Sequence, residues 1–401
     1  MGIPLDFSAL YGILLGVSAL CALPLLWARL REYSTLRRAW KKYTQTEDGV
    51  PDRAPAISVV VLTRDQAATL EANLPAILEQ QYPFFEVIVV YDIAEDDTSD
   101  VMKRLEAKYT RLRHTFIPST TRFISYEKLA VTLGIKAAKH DWVFLTRADC
   151  RPASDEWLMG FSHKLTSDKD LAIGYANYVD DGSWRVRAAI FRRLRRNFFN
   201  FSAALSGRAV GGDGCNMAVR KSRFMAMQGY TSQLTYTCGE DSLLVDRLAE
   251  KGNTAVICSA DTTVLQAQPT RQQLKTVEMS QAEALRHLSR RGKRLRMGRA
   301  LVSWCAYGHY VALWCALAAR LLSLRPFATY NVQEIWMDGA WLILLGLMPV
   351  SETFVLRKST RAVGERDFGP QIAVYDVTAP LRRAYIKWCR WRHRKDFRRR
   401  W

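Results

Sequence analysis

Apolar positions follow two different patterns along the chain. Between residues 57 and 147, short β-branched runs alternate with stretches of helical spacing. ISVVVLT at 57–63 predicts a buried strand. The stretch 66–81 carries Leu70, Leu74, Ile77 and Leu78 three or four residues apart, the spacing of one helix face. FEVIVVY at 85–91 predicts a second strand, 99–112 a helix, 115–118 a short strand, 127–139 a helix, and DWVFLT at 141–146 a further strand. Strands that are apolar on both faces, separated by helices, predict a parallel sheet covered on two sides. In such sheets ligands bind beyond the C-terminal strand ends. The polar residues there are Arg64 and Asp65, then Asp92, then Asp149.

The second pattern is continuous apolarity. Residues 10–27 carry no charge, and about 18 residues nearly cross a bilayer core of ~30 Å. Basic residues follow this run and none precedes it, which fits an uncleaved anchor better than a signal peptide. Residues 300–319 form a second uncharged run containing His309, and 335–356 a weaker third, whose alternative is a buried or re-entrant helix. Basic clusters after the first run, before the second and after the third agree on one topology under the positive-inside rule. The N-terminus is outside, and the central section and C-terminal tail are cytoplasmic. Arg320 and Arg325 oppose this scheme.

Composition adds a polyanion-facing charge. The 401 residues include 58 Lys+Arg against 39 Asp+Glu, a formal net charge of +19. Nucleic acid, anionic lipid and phosphorylated substrates are all candidates. The tail from 382 to 401 holds ten Lys or Arg among Trp, Tyr and Phe, which suits a headgroup-level segment. RNA binding would use the same residue types, but no RNA-binding motif accompanies them. The segment 185–196 (RVRAAIFRRLRR) is basic and amphipathic, and reads equally as an interfacial helix, which could instead bind a lipid-linked pyrophosphate, or as a solvated face. The eight cysteines include no C-x-x-C pair, so they read as reduced thiols on a cytosolic face. No P-loop and no paired-His metal motif occurs, and Gly211-Gly212-Asp213-Gly214 lacks the dinucleotide-binding spacing.

Five segments in order remain: SVVVLTRD, VIVVYD, EKLAVTLGIKAAKHDWVFLTRADCRP, GGDGCNMAVRKSRF and GEDSLLVDRL. In this order the chain resembles the family 2 glycosyltransferases of GT-A fold, particularly membrane-anchored bacterial ones, from about residue 57 to 296. The resemblance implies an α/β, Rossmann-like nucleotide-sugar-binding domain flanked by transmembrane helices. It implies that Arg64 and Asp92 line the nucleotide pocket and that Lys128 contacts the nucleotide or diphosphate. Asp149 matches the last carboxylate of the D-x-D motif, which in the family ligates Mg²⁺ or Mn²⁺, hard cations that favour oxygen. Arg147 stands where the first carboxylate would be. Either it supplies positive charge to the diphosphate, or metal or donor binding is weakened, or catalysis is lost.

Glu240-Asp241 matches the acceptor-side E-D pair. Inverting transfer needs a carboxylate to take the acceptor proton, a role that falls to Asp241, with Glu240 orienting. Both also suit a helix N-terminus electrostatically. The family's Q-x-x-R-W element is represented by Glu283-Ala284-Leu285-Arg286-His287, keeping Arg286 as a possible diphosphate contact and losing the Trp, which argues against a processive synthase. The expected order is an anchor at 1–30, a basic linker at 31–56, the GT-A domain at 57–270, a basic interfacial helix at 271–299, two membrane helices within 300–356, and a basic aromatic tail at 357–401. The expected activity is transfer from a nucleotide sugar, taken as UDP-linked, to a lipid-linked or membrane-held acceptor, without nucleic acid. The alternative is a silent GT-A-like membrane protein that binds nucleotide or partner proteins.

Overall fold

The computed structural model describes residues 7–43, 54–92, 97–117, 125–233, 238–322, 332–369 and 371–392. In chain order these form α1 (Phe7–Tyr43), β1 (Ile57–Leu62), α2 (Ala67–Leu78), β2 (Phe85–Asp92), α3 (Thr98–Lys108), β3 (Leu112–Ile117), α4 (Tyr126–Ala137), β4 (Trp142–Arg147), β5 (Cys150–Pro152), α5 (Trp157–Ser162), β6 (Leu171–Gly174) and β7 (Ala176–Tyr178). They continue as α6 (Trp184–Leu205), β8 (Met217–Arg220), α7 (Lys221–Ala226), α8 (Glu240–Leu248), β9 (Thr254–Ile257), β10 (Val264–Gln266), α9 (Arg271–His287), α10 (Arg290–Leu322), α11 (Val332–Ala362) and α12 (Gln371–Arg392). The chain divides into two compact units.

The larger unit comprises residues 35–293, 361–366 and 383–401. Its main sheet has the order β3-β2-β1-β4-β8-β6-β9. β1 pairs in parallel with β2 and with β4, because each is a β-branched run that needs covering on both faces. Val59, Val61, Val87, Val89 and Phe144 are buried in one core with Leu70, Leu74 and Ile77 of α2. Burying each such side chain contributes about 1.5–3 kcal/mol, which makes this the rigid part of the unit. β8 enters antiparallel to β4 and β6. Chain order reverses across the β1–β4 pair, and that switch point opens a crevice at the C-terminal strand ends. A second sheet, β5-β10-β7, starts three residues beyond β4.

The GT-A fold and the predicted alternation both hold, with shifted boundaries. The helix expected over 99–112 ends at Lys108, because Leu112 pairs with Val87 and begins β3. The basic stretch 185–196 is neither interfacial nor a solvated face. It lies within α6, where Arg193 and Arg195 are buried. The expected helix over 271–299 is broken after α9. Ser289 donates its backbone N–H and its hydroxyl to Asp246, and a new helix starts at Arg290.

The smaller unit comprises residues 1–34, 294–360 and 367–382. Two helices, Ala9–Arg38 and Arg290–Leu321, are long and apolar enough to cross a membrane, whereas the apolar stretch of α11, Ile335–Leu347, is shorter. Their contacts are specific. Ser18 Oγ lies 2.8 Å from His309 Nδ1, and Arg320 Nη2 donates to Asp338 at 2.9 Å. Tyr11 adds a hydrogen bond to the same carboxylate at 3.0 Å. The Asp338 partner explains how Arg320 is accommodated against the charge pattern; Arg325 lies outside the described residues.

Candidate active site

The crevice is lined first by the ends of β1 and β2. Arg64 Nε lies 3.8 Å from Asp92 Oδ2, and its guanidinium stacks 4.7 Å over the ring of Tyr126. Tyr126, from the start of α4, donates its hydroxyl to the Thr63 carbonyl at 2.9 Å, which fixes the ring at the mouth. Asp92 Oδ1 is buried and has no hydrogen-bond partner among the described residues. A buried carboxylate oxygen left unpaired is costly, so this atom suits a ligand N–H or hydroxyl.

The next group gathers at the end of β4. Arg147 Nη1 donates to Glu127 Oε1 at 2.9 Å and Nη2 to Glu240 Oε1 at 3.2 Å. Arg147 thus bridges the Glu127 and Glu240 carboxyls. Arg147 holds the Glu127 carboxyl down to about 2. Burial, reinforced by Glu127, pushes Glu240 well up. Burial also raises Asp241, and Arg147 opposes the rise. The Asp241 carboxylate lies against Gly214, where an added Cβ would fall 2.1 Å from its Oδ1.

A chain of bonds runs from here to Asp149. Asp213 is gripped by Arg193 at 2.7 and 2.8 Å and by Arg196 at 2.8 Å. Burial would raise the Asp213 carboxyl, but the two arginines hold it far below the usual range. Arg193 Nη1 also donates to Gln266 Oε1 at 2.6 Å, and Gln266 Nε2 donates to Asp149 Oδ2 at 2.8 Å. Asp149 opens on a cleft of 390 Å³ lined also by Asn73, Arg151, Val179 and Leu265.

The family model for glycosyl transferase family 2 matches residues 58–226. A hyaluronan synthase of Pasteurella multocida is 28% identical over 131 residues, and a chondroitin synthase of the same species, strain Pm70, is 27% identical over 132. Each alignment covers 31% of this chain and 12% of the relative. The solved mannosyltransferase PcManGT of Pyrobaculum calidifontis, in complex with GDP-Man and Mn²⁺, superposes with TM-score 0.52 at 18% identity. It covers 84% of this chain and 99% of its own, a likeness of fold. Residues 58–226 carry a glycosyl transferase family 2 domain.

Within this family 2 domain, the predicted residues fall into separate groups. Arg64 and Asp92 meet, as do Arg147 and Glu240, with Asp241 next to Glu240 in α8. Lys128 is fully buried, with its ammonium donating to the Gln233 carbonyl at 2.9 Å. Arg286 is half-exposed and pairs with Glu283 at 3.4 Å along α9. Glu283 also accepts from Arg390 at 3.0 Å. α9 nonetheless packs against the start of α8, since a Cβ at Gly239 would fall 2.1 Å from that of Ala284.

As for a divalent metal, no cluster of three His, Cys, Asp or Glu exists among the described residues. Asp149 still has lone pairs beyond the one Gln266 occupies. A single carboxylate completed by substrate phosphates and water suits Mg²⁺, so the family 2 site fits a metal brought together with the donor. Glu127, Tyr126 and the Arg193–Asp213 pair were not found from sequence. Glu127 and Tyr126 adjoin Lys128, and Asp213 lies in the glycine-rich segment, so proximity to motif residues was the available signal.

Proposed function

We propose that the chain is an inverting glycosyltransferase that moves a sugar from a nucleotide donor, taken as UDP-linked, to a lipid-linked or membrane-held acceptor in surface-glycan synthesis. The observation that carries this reading is the Glu240–Asp241 pair, held beside Arg147 at the C-terminal edge of the sheet. The nucleotide base or ribose hydrogen-bonds to Asp92, with Arg64 stacked alongside on Tyr126. Asp241 takes the acceptor hydroxyl proton as that oxygen bonds to the anomeric carbon. The bond from this carbon to the diphosphate oxygen breaks on the opposite face, so configuration inverts. Burial gives Asp241 more basicity than an exposed aspartate, which suits a general base. Glu240 orients the acceptor. Asp149 would hold a divalent metal, which supplies charge neutralisation to the departing diphosphate. Lys128 donates to the Gln233 carbonyl at 2.9 Å, and Arg286 pairs with Glu283 along α9.

The domain works on the cytoplasmic face, anchored by α1 before it and α10 after it, with α11 in or against the same membrane. Tethering raises the local concentration of a membrane-held acceptor. The basic aromatic end of α12, with Trp388 and Trp391 exposed, rests at lipid headgroups. The similarity to hyaluronan and chondroitin synthases supports an acceptor that is itself a glycan. The test is nucleoside diphosphate release by the chain in native-lipid membranes, over a panel of UDP- and GDP-sugars with Mn²⁺, Mg²⁺ or chelator. Release with one donor, abolished in Asp241→Asn, supports the reading. UDP binding without release, with glycolipid acceptors supplied, would indicate a silent homologue.

A further inference from the structure

We propose that Arg147 and Glu127 are positioning residues, forming a clamp that holds the Glu240–Asp241 pair in its working geometry. This rests on the reading of Asp241 as the base. Arg147 is the last residue of β4 and is aligned with Leu62 at the end of β1, so its Cα belongs to the most rigid part of the sheet. Its guanidinium reaches two helices at once, α4 through Glu127 at 2.9 Å and α8 through Glu240 at 3.2 Å. A planar fork can serve two carboxylates in fixed directions, which an ammonium cannot.

α8 needs such a tie. It opens on Gly239 at φ +63°, and no side chain caps its first turn. The backbone restraints there are the Tyr230 hydroxyl on the Glu240 carbonyl at 3.0 Å and a Ser280 contact to the Gly239 N–H at 3.4 Å. Neither fixes a carboxylate. The Glu240 side chain is held by Arg147, and that of Asp241 lies against Gly214. Glu127 and Glu240 therefore share one cation, while Asp213 is already matched by Arg193 and Arg196. The side chain that replaces the first D-x-D carboxylate thus faces the acceptor helix. Restoring an aspartate there would set a further carboxylate beside Glu127 and Glu240 instead of a metal ligand.

The experiment compares the full chain in native-lipid membranes with Arg147→Met, Glu127→Gln, their double variant and Arg147→Asp. It measures kcat and donor KM by nucleoside diphosphate release, UDP affinity by titration, and melting temperature. The clamp predicts that Arg147→Met lowers kcat roughly 100-fold, as a misplacement near 1 Å does. UDP affinity and donor KM should stay within about threefold of the parent, because uniform donor binding is untouched. The double variant should be no slower than Arg147→Met, since the two residues act as a unit. Arg147→Asp should be at least as slow, with or without Mn²⁺. Loss of UDP affinity with kcat retained would make Arg147 a diphosphate ligand and overturn the proposal, as would additive losses or a Mn²⁺-dependent gain in Arg147→Asp. Should Arg147→Met fail to fold, the near-isosteric Glu127→Gln carries the kcat and KM comparison. Should the parent release nucleotide from no donor, the transferase reading falls, and the clamp is judged by melting: coupling between the two substitutions supports it and additivity refutes it.

Discussion

Replacing Gly214 with alanine gives a direct test of how tightly the base is seated. A Cβ at this position would lie 2.1 Å from Asp241 Oδ1 and 2.6 Å from its Cγ, whereas real Cβ atoms stay at least 3.0 Å from such neighbours. The carboxylate must therefore move by close to 1 Å, or the 211–214 segment must. The second route is obstructed, because Asp213 is buried against Arg193 and Arg196, and a Cβ at Gly212 would already press on Val245 at 3.2 Å. The carboxylate is the mobile partner. A shift of ~1 Å in a reacting group costs about 100-fold in rate. The assay is kcat for nucleoside diphosphate release, with UDP affinity and melting temperature measured alongside. Gly214→Ala should lose about 100-fold in kcat while keeping UDP affinity within about threefold. Gly16→Ala in α1, where an added Cβ meets nothing within 4 Å, should retain full kcat. Parental kcat in Gly214→Ala would mean that the seating of Asp241 does not limit the reaction, and the assignment of the base would fail with it.

Other outcomes follow from the same geometry. Asp92→Ala removes the buried oxygen offered to the nucleotide. A charge-assisted hydrogen bond of about 1.5–3 kcal/mol corresponds to a UDP affinity loss of roughly 10- to 100-fold, measurable by calorimetry; unchanged affinity would put the nucleotide elsewhere. Burial raises Asp241 above the ordinary aspartate value of ~3.9, and the base acts only when ionised. Activity should therefore fall on acidification through an apparent pKa above that value, and an acid limb at or below it would contradict the assignment. Glu86 is held below the usual range: burial pushes it up, but bonds from Ser58, the Lys139 N–H and Arg113 outweigh that effect. A lowered folded value means that its stabilisation is complete above ~4.3 and disappears as pH falls through the folded value. Glu86→Gln should thus lower the melting temperature at neutral pH, by the equivalent of about 1–3 kcal/mol. The difference from the parent should vanish in acid, and a gap that widens there would refute the account.

Local pattern was informative wherever a function depends on one contiguous stretch. β1, β2 and β4 were legible because a strand buried on both faces must be apolar throughout, and few other structures tolerate such runs flanked by helical spacing. Arg64, Asp92 and Asp149 were legible as strand-end residues for the same reason: parallel β1, β2 and β4 send their C-terminal ends to one edge. Glu127 was not. As a first-turn acid beside Lys128 it looks like an ordinary helix-start residue, and its partner lies 20 positions away. The arginines of 185–196 misled because a basic amphipathic helix has the same sequence whether its cations face lipid headgroups or a buried Asp213.

Sequence alone therefore determined the parallel α/β core, the order of the motifs, the two long apolar helices and the identity of the strand-end residues. These depend on side-chain periodicity and on charge density along the chain, which need no knowledge of partners. Tertiary structure decided which charges neutralise which. Asp149 meets Gln266 across 117 positions, and Arg147 meets Glu240 across 93. Such pairings form only after the sheet has closed and removed these groups from water. In that low-dielectric setting an unpaired charge is costly and a matched one is held in place.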